Sequence, residues 1–427
     1  MHPDTFKLTL LLIIIGIIGS IILGQASGTE IASSRDSLVY VEGANQIIKD
    51  GSFAVEKDGQ HEVITRYPPF YSFLLALVSQ FGLSVFSAAK VLNFVLFAAN
   101  IFLAGYLFYR ITGGNLSWSV AFANIILLAW PVIDIHLRAW PEPLLIFLTN
   151  LGFLYLAEFF NKPRINTFLM AALFLALAPM TRYSGIIPLI VGCLSIIFYF
   201  NFELNKRAIT AVLFAFISSL PLLLWLFRNY WLAGNTTGRA ISFSLITFDE
   251  LGDITETISS WFFYFGINDN YRIYAFFILL LLLFLLLSFN LNQRKIHLLY
   301  QRSKQNLHIN KIFGLFIFCY LFYVGVYISF FGDGIPVNNK LLVPIFIPFL
   351  AVVFRAFYQW QKFSENNTAY KTTVSILIVI FMITSAGYFF SKSTPEATPD
   401  PETENSEIFT NPAIPANNLF PEFLSVP

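Results

Sequence analysis

Apolar runs long enough to cross a bilayer recur from the start of the chain to near its end, and no other feature restricts the fold so tightly. A hydrocarbon core of about 30 Å needs roughly 20 apolar residues as helix, fewer where the bilayer thins. Setting apolar runs against polar breaks predicts eleven spans, near residues 8–24, 86–109, 117–133, 142–160, 167–181, 184–200, 208–227, 271–290, 312–331, 341–358 and 372–390. In lipid every backbone N–H and C=O must find a partner inside the protein, so such segments are helices. The composition agrees: 56% of the 427 residues are hydrophobic and only 12% are charged, with a mean hydropathy of +0.68. That is about half the charge of a soluble domain. The predicted fold class is therefore an all-α integral membrane protein of about eleven transmembrane helices. The first run is close to full spanning length, which favours a retained span over a signal-peptide core despite the small residues Ala26-Ser27-Gly28 after it.

Lys and Arg in short loops set orientation. With the amino terminus cytoplasmic, the inner segments collect Lys7, Arg110, Lys162, Arg164, Lys206 and Arg207, then the loop from Arg294 to Lys311, against few acids. This arrangement requires two short helices meeting at Thr181-Arg182-Tyr183. A single span there would invert everything after it and turn the basic loop outward. Three stretches are then expected outside: residues 25–85, about 228–270, and a tail after Lys392. The tail, rich in Pro, Glu, Asn and Thr, reads as disordered over 391–427.

Ionisable residues gather at the outer helix ends, where the positive-inside rule does not call for them. Asp36 opens a helical pattern in DSLVYVEGANQIIKDG, with Leu38, Val41, Asn45 and Ile48 at helix spacing and Asp50-Gly51 as its stop. This outer juxtamembrane helix lies in the first loop. By itself Asp36 also fits the ordinary place of an acid at a helix start. RYPPFYSFLLAL brings Arg66, Tyr67 and Tyr71 to headgroup level behind Pro68-Pro69, positions equally suited to an aromatic belt. DIHLRAWPEPLL carries Asp134, His136, Arg138 and Glu142 in the short turn between the third and fourth spans. Glu142 is a suspect as an interfacial carboxylate and also fits a first-turn dipole charge. Arg182 at the predicted helix junction is expensive unless it meets an anion, and guanidinium suits phosphate. Arg228 and Arg239 follow the seventh span, and Lys340 heads the tenth.

Other chemistry lacks support. Cys193 and Cys319 both lie in apolar runs and read as buried hydrophobes. The five His show no ligand spacing, so no metal site is predicted and no cofactor is called for, although a divalent metal is not excluded. No phosphate-loop, dinucleotide, nucleophile-elbow or HExxH spacing occurs, and no basic stripe suggests nucleic acid.

The order and common sidedness of these features resemble the GT-C membrane glycosyltransferases of the ArnT and protein O-mannosyltransferase type. The matching elements are Asp36 after the first span, YPPFYSFLLAL entering the second, Glu142 heading the fourth, APMTRYSG around Arg182, and NNKLLVPIFIP late in the chain. The likeness is strongest over residues 1–240, a GT-C-like catalytic module with its first outer loop at 25–85, followed by additional helices over 241–390. At Asp36-Ser37 the chain departs from the Asp-Glu pair of the protein O-mannosyltransferases. The resemblance implies an inverting transfer of a sugar from a polyprenyl-phosphate donor to an acceptor glycan, lipid or protein. It implies Asp36 as the catalytic base and Arg66, Arg138, Arg182, Arg228, Arg239 and Lys340 as donor-phosphate ligands. Asp134, Glu142, Tyr67 and Tyr71 would orient them or bind acceptor. The expected location is a bacterial plasma membrane with the active site extracytoplasmic. Two other classes compete: a transporter or lipid flippase, which would place charge at mid-membrane, and a surface-polysaccharide ligase or polymerase, which would load its late loops.

Overall fold

The computed structural model describes residues 3–27, 31–57, 60–239, 242–263, 271–278, 307–331 and 337–363. Among these, six helices are long and apolar enough to cross a membrane, and the protein is an integral membrane protein built on helices. They are α1 (Pro3–Ala26), α4 (Val85–Thr112), α7 (Glu142–Asn161), α10 (Leu204–Ala233), α12 (Leu307–Phe331) and the segment led by α13 (Asn339–Leu342) into α14 (Phe346–Phe363). The predicted spans near 8–24, 86–109, 142–160, 208–227, 312–331 and 341–358 correspond to these. Residues 279–290, the span at 372–390, most of the basic loop and the tail lie outside the described residues.

Three predicted elements take a different form. The span predicted at 117–133 is two helices, α5 (Leu116–Leu128) and α6 (Trp130–His136), bent by 55°. The cause is local: Pro131, in the first turn of α6, has no N–H to continue the α5 ladder and its ring crowds the carbonyl four residues back, and the break is taken up at Ala129, with φ −70° and ψ 109°. Buried amides brace the turn between α6 and α7. Asn93 Nδ2 donates to the carbonyls of His136 (3.0 Å) and Arg138 (2.6 Å), and Asn100 Nδ2 to that of Pro143 (3.0 Å). The YPPFYSFLLAL segment is a separate short helix, α3 (Phe70–Ser79), and not the beginning of the second span, because Gln80–Gly82 turns the chain before α4. The first outer loop also contains a hairpin, β1 (Ala54–Lys57) against β2 (Gln60–Val63), antiparallel with Ala54 opposite Val63.

The junction at Thr181-Arg182-Tyr183 forms as expected. Helix α8 (Ile165–Thr181) stops there, Arg182 is extended, and a 3-10 turn at Tyr183–Gly185 leads into α9 (Ile186–Tyr199). Gly185 makes this packing possible. A Cβ on it would lie 2.2 Å from the carbonyl carbon of Ala178, so only glycine lets the turn press against α8. The main core is shared by α1, α4 to α10, α12, α13 and α14, with Phe97, Phe122, Phe153, Phe214, Phe316 and Phe346 fully buried and α11 (Phe248–Ser260) packed on it through Ile254 and Ile258. A second cluster seats the outer helix α2 (Arg35–Asp50) on α3 through Tyr40, Val41, Tyr71 and Leu75.

Candidate active site

Helix α2 is fixed at both ends. Ser34 caps it reciprocally with Ser37, Trp140 Nε1 donates to Ser34 Oγ at 2.9 Å, and Gly51 closes it in the left-handed region at φ 78°. Just before it, Ala32 bridges to the turn after α6: its N–H donates to Leu137 O, and its carbonyl accepts from Ala139 N–H. Asp36 is thus held over the α6–α7 turn by backbone on both sides.

From that position Asp36 reaches two donors from distant parts of the chain. Tyr67 Oη donates to Oδ1 at 2.5 Å and Lys340 Nζ to Oδ2 at 2.5 Å. Burial pushes the Asp36 carboxyl up. The charges of Lys340 and Arg182, with the hydrogen bonds from Lys340 and Tyr67, outweigh burial and hold it well below the usual carboxylate range. Burial and the adjacent Asp36 charge raise the Tyr67 phenol, so it stays a donor.

Arg182 meets Glu142, which is fully buried at the head of α7. Asp134 accepts from Arg138 Nε at 3.3 Å and from Asn339 Nδ2 at 3.2 Å, and Asn339 also donates to Pro131 O. Trp140 lies between two cations, with Arg138 4.8 Å and Lys340 4.7 Å from its ring centre. The cleft itself is lined by Glu142, Arg182, Tyr183, Ser184, Arg239, Lys340 and a tyrosine stripe on α12, with about 30 Å³ of free space. That is room for about one water. Among the described residues no three His, Cys, Asp or Glu side chains converge as metal ligands would.

Of the residues singled out in the sequence, Asp36, Tyr67, Glu142, Arg182, Arg239 and Lys340 come together here, with Asp134 and Arg138 behind Trp140. Two stand apart. Tyr71 is buried against Tyr40 in the α2–α3 core. Arg228 lies over Trp225 and donates to the carbonyls of Phe53 and Ile64, so it braces the hairpin. Arg66 is exposed at the edge of the cluster, near enough for its charge to act on the Tyr67 phenol. Sequence reasoning missed Tyr320, Tyr323 and Tyr327, which line the cleft, and Asn339, which steadies Asp134. Their signal was present: tyrosines at i, i+3 and i+7 put three hydroxyls on one face of an apolar helix.

No family model and no curated protein matches the sequence. Solved structures do. ArnT from Cupriavidus metallidurans bound to undecaprenyl phosphate aligns with a TM-score of 0.56 at 11% identity, over 91% of this chain and 66% of that one. The Archaeoglobus fulgidus oligosaccharyltransferase AglB, in complex with an inhibitory peptide and a dolichol-phosphate, aligns with a TM-score of 0.53 at 12% identity, over 96% of this chain and 58% of that one. The chain therefore spans less than two thirds of either protein. At such identities the likeness is one of architecture, and the architecture is that of the GT-C membrane glycosyltransferases.

Proposed function

We propose that this protein is an inverting glycosyltransferase that moves a sugar from a polyprenyl-phosphate donor to an acceptor hydroxyl at the extracytoplasmic membrane face. The observation that carries the reading is one ionised carboxylate, Asp36, bound to Lys340, which lines one cleft together with Arg182 and Arg239. The lipid phosphates in the ArnT and AglB structures supply the ligand class for those cations.

The chemistry follows from the charges. The acceptor oxygen bonds to the anomeric carbon as the bond from that carbon to the phosphate oxygen breaks. The bonding pair leaves with the phosphate, and the acceptor proton passes to Asp36. One carboxylate suffices, because an inverting transfer forms no covalent sugar–enzyme intermediate. Asp36 is a weak base in this setting, which suits a transition state of oxocarbenium character in which the proton leaves late. Lys340 answers the main difficulty. While it holds Asp36, the carboxylate is occupied, and an incoming phosphate competes for the same ammonium. Donor binding thereby draws Lys340 away and frees the base, while Arg182 and Arg239 meet the charge growing on the leaving phosphate. Glu142 orients Arg182, and Arg138 with Asp134 orients the Trp140 face.

Acceptor class, whether glycan, lipid or protein, and a bacterial plasma-membrane location complete the proposal. The transporter alternative would place charge at mid-membrane, whereas Asp36, Glu142 and Arg182 all lie at helix ends. Membranes carrying Asp36→Asn, compared with wild type on a radiolabelled polyprenyl-phosphate sugar, test the reading. Transfer is expected to fall by about 10³-fold with donor binding retained. Unchanged transfer removes Asp36 from the mechanism.

A further inference from the structure

We infer that Trp140 is a positioning residue for this centre: its ring face takes up the Lys340 ammonium when a donor phosphate draws that ammonium off Asp36. The inference rests on the glycosyl-transfer reading and adds to it how the base is freed.

The ring is fixed on all sides. Trp140 follows the turn after α6 and is buried. Its own N–H donates to Arg138 O at 2.7 Å, and the preceding Ala139 N–H donates to Ala32 O at 2.9 Å. The indole Nε1 donates to Ser34 Oγ at 2.9 Å, and Ser34 caps α2 two positions before Asp36. The indole therefore cannot turn away without uncapping the helix that carries the base. Lys340 is tethered from the other direction. Asn339 Nδ2 donates to Pro131 O at 3.1 Å and to Asp134 Oδ2 at 3.2 Å, which ties the foot of Lys340 to α6. Its flexible four-carbon stem leaves the ammonium free to swing.

The swing required is small. Lys340 Nζ lies 2.5 Å from Asp36 Oδ2 and at the same time 4.7 Å from the Trp140 ring centre, already within reach of a cation–π contact. An ammonium that lets go of a carboxylate needs another partner, and the cleft has room for about one water. Indole offers the best aromatic face for a cation, and the face carries no charge, so it does not contest the ammonium with a phosphate as Asp36 does. While Lys340 is paired with Asp36, its charge is already answered and the ring adds little. Once Lys340 is released, the ring adds more. That difference lowers the cost of freeing the base, and it enters donor affinity because the binding-competent state must be reached first. Arg138, 4.8 Å from the same ring, donates to Asp134 and takes no part in the exchange.

The test uses the purified full chain in lipid nanodiscs, titrated with polyprenyl phosphate. Trp140 is replaced site-specifically by tryptophan carrying one, two or three ring fluorines. Fluorine draws electron density from the ring face, keeps the indole shape and leaves its N–H at least as good a donor, so a loss does not come from the bond to Ser34. Affinity is expected to fall stepwise, by about fivefold at three fluorines. In Asp36→Asn, where no carboxylate has to be given up, the series should be flat, and in Arg138→Gln it should keep its slope. An affinity indifferent to fluorination, a slope that persists in Asp36→Asn, or a slope lost in Arg138→Gln overturns the inference while the donor reading stands. Failure of the unmodified chain to bind polyprenyl phosphate at all overturns the donor reading and this inference with it.

Discussion

The two ends of the helical bundle carry ion pairs of different kinds. At one end Arg110 of α4 meets Glu158 of α7, both about a quarter exposed, and Lys206 meets Glu203 one helical turn away on the surface. These pairs join neighbours. At the other end Arg182 meets a Glu142 that is 1% exposed, and Lys340 meets Asp36 across 304 residues of sequence. The first kind is what orientation in a membrane requires and little more. The second puts charge where its desolvation is costly, and such placement is sustained by a task and not by stability, since buried pairs rarely stabilise beyond well-packed apolar residues.

Several substitutions break or sharpen this contrast. The largest effect on folding is expected from Glu142→Gln, which leaves the Arg182 guanidinium without its counter-ion. A loss of about 3 kcal/mol is predicted, read from thermal unfolding in detergent, and a loss under 1 kcal/mol would mean that the pair is dispensable. Gly185→Ala comes next. Its methyl would collide with the Ala178 carbonyl, so about 2 kcal/mol of destabilisation is expected, together with weaker donor binding as Arg182 shifts. At the opposite end Arg110→Gln should cost about 1 kcal/mol or less and leave transfer per folded molecule unchanged. If Arg110→Gln abolished transfer, the two ends would not differ as described.

The smallest expected effect concerns pH. The Asp36 carboxyl is lowered in the folded protein, so its stabilisation is complete above the unfolded carboxylate value of about 4 and is lost only as pH falls through the folded value. The stability difference between wild type and Asp36→Asn should therefore stay flat between about pH 5 and pH 8. A difference that grew across that window would place another titrating group in contact with Asp36.

Elements governed by local pattern were legible in the sequence. Helix α2 announced both ends, Ser34 before and Gly51 after, and the Thr181–Tyr183 break followed from charge bookkeeping across the membrane. Features held by distant contacts were not. The hairpin at 54–63 has no hydrophobic alternation to speak for it, and it is braced by Arg228 and by Phe53 against Trp225, more than 160 residues away. The α12 tyrosines sit in an apolar run, where an aromatic side chain reads as lipid-facing until the helix is seen from the cleft. For the same reason Lys340 was recognised as an anomalous cation, while its partner was not. Nothing near residue 340 in sequence points to residue 36. Arg228 shows the converse limit: its position fitted a phosphate ligand, and only the fold reveals the carbonyls that it serves.

The link between Asp36 and Lys340 also bears on how the molecule is made. A chain threaded into the membrane from its amino terminus exposes the Asp36 carboxylate long before residue 340 leaves the ribosome. The nascent protein therefore carries this carboxylate without its ammonium partner through most of its synthesis and gains the pair only when one of its late helices takes its place. A chain that stops anywhere between these residues lacks Lys340, so the ion pair reports that the late helices have joined the bundle.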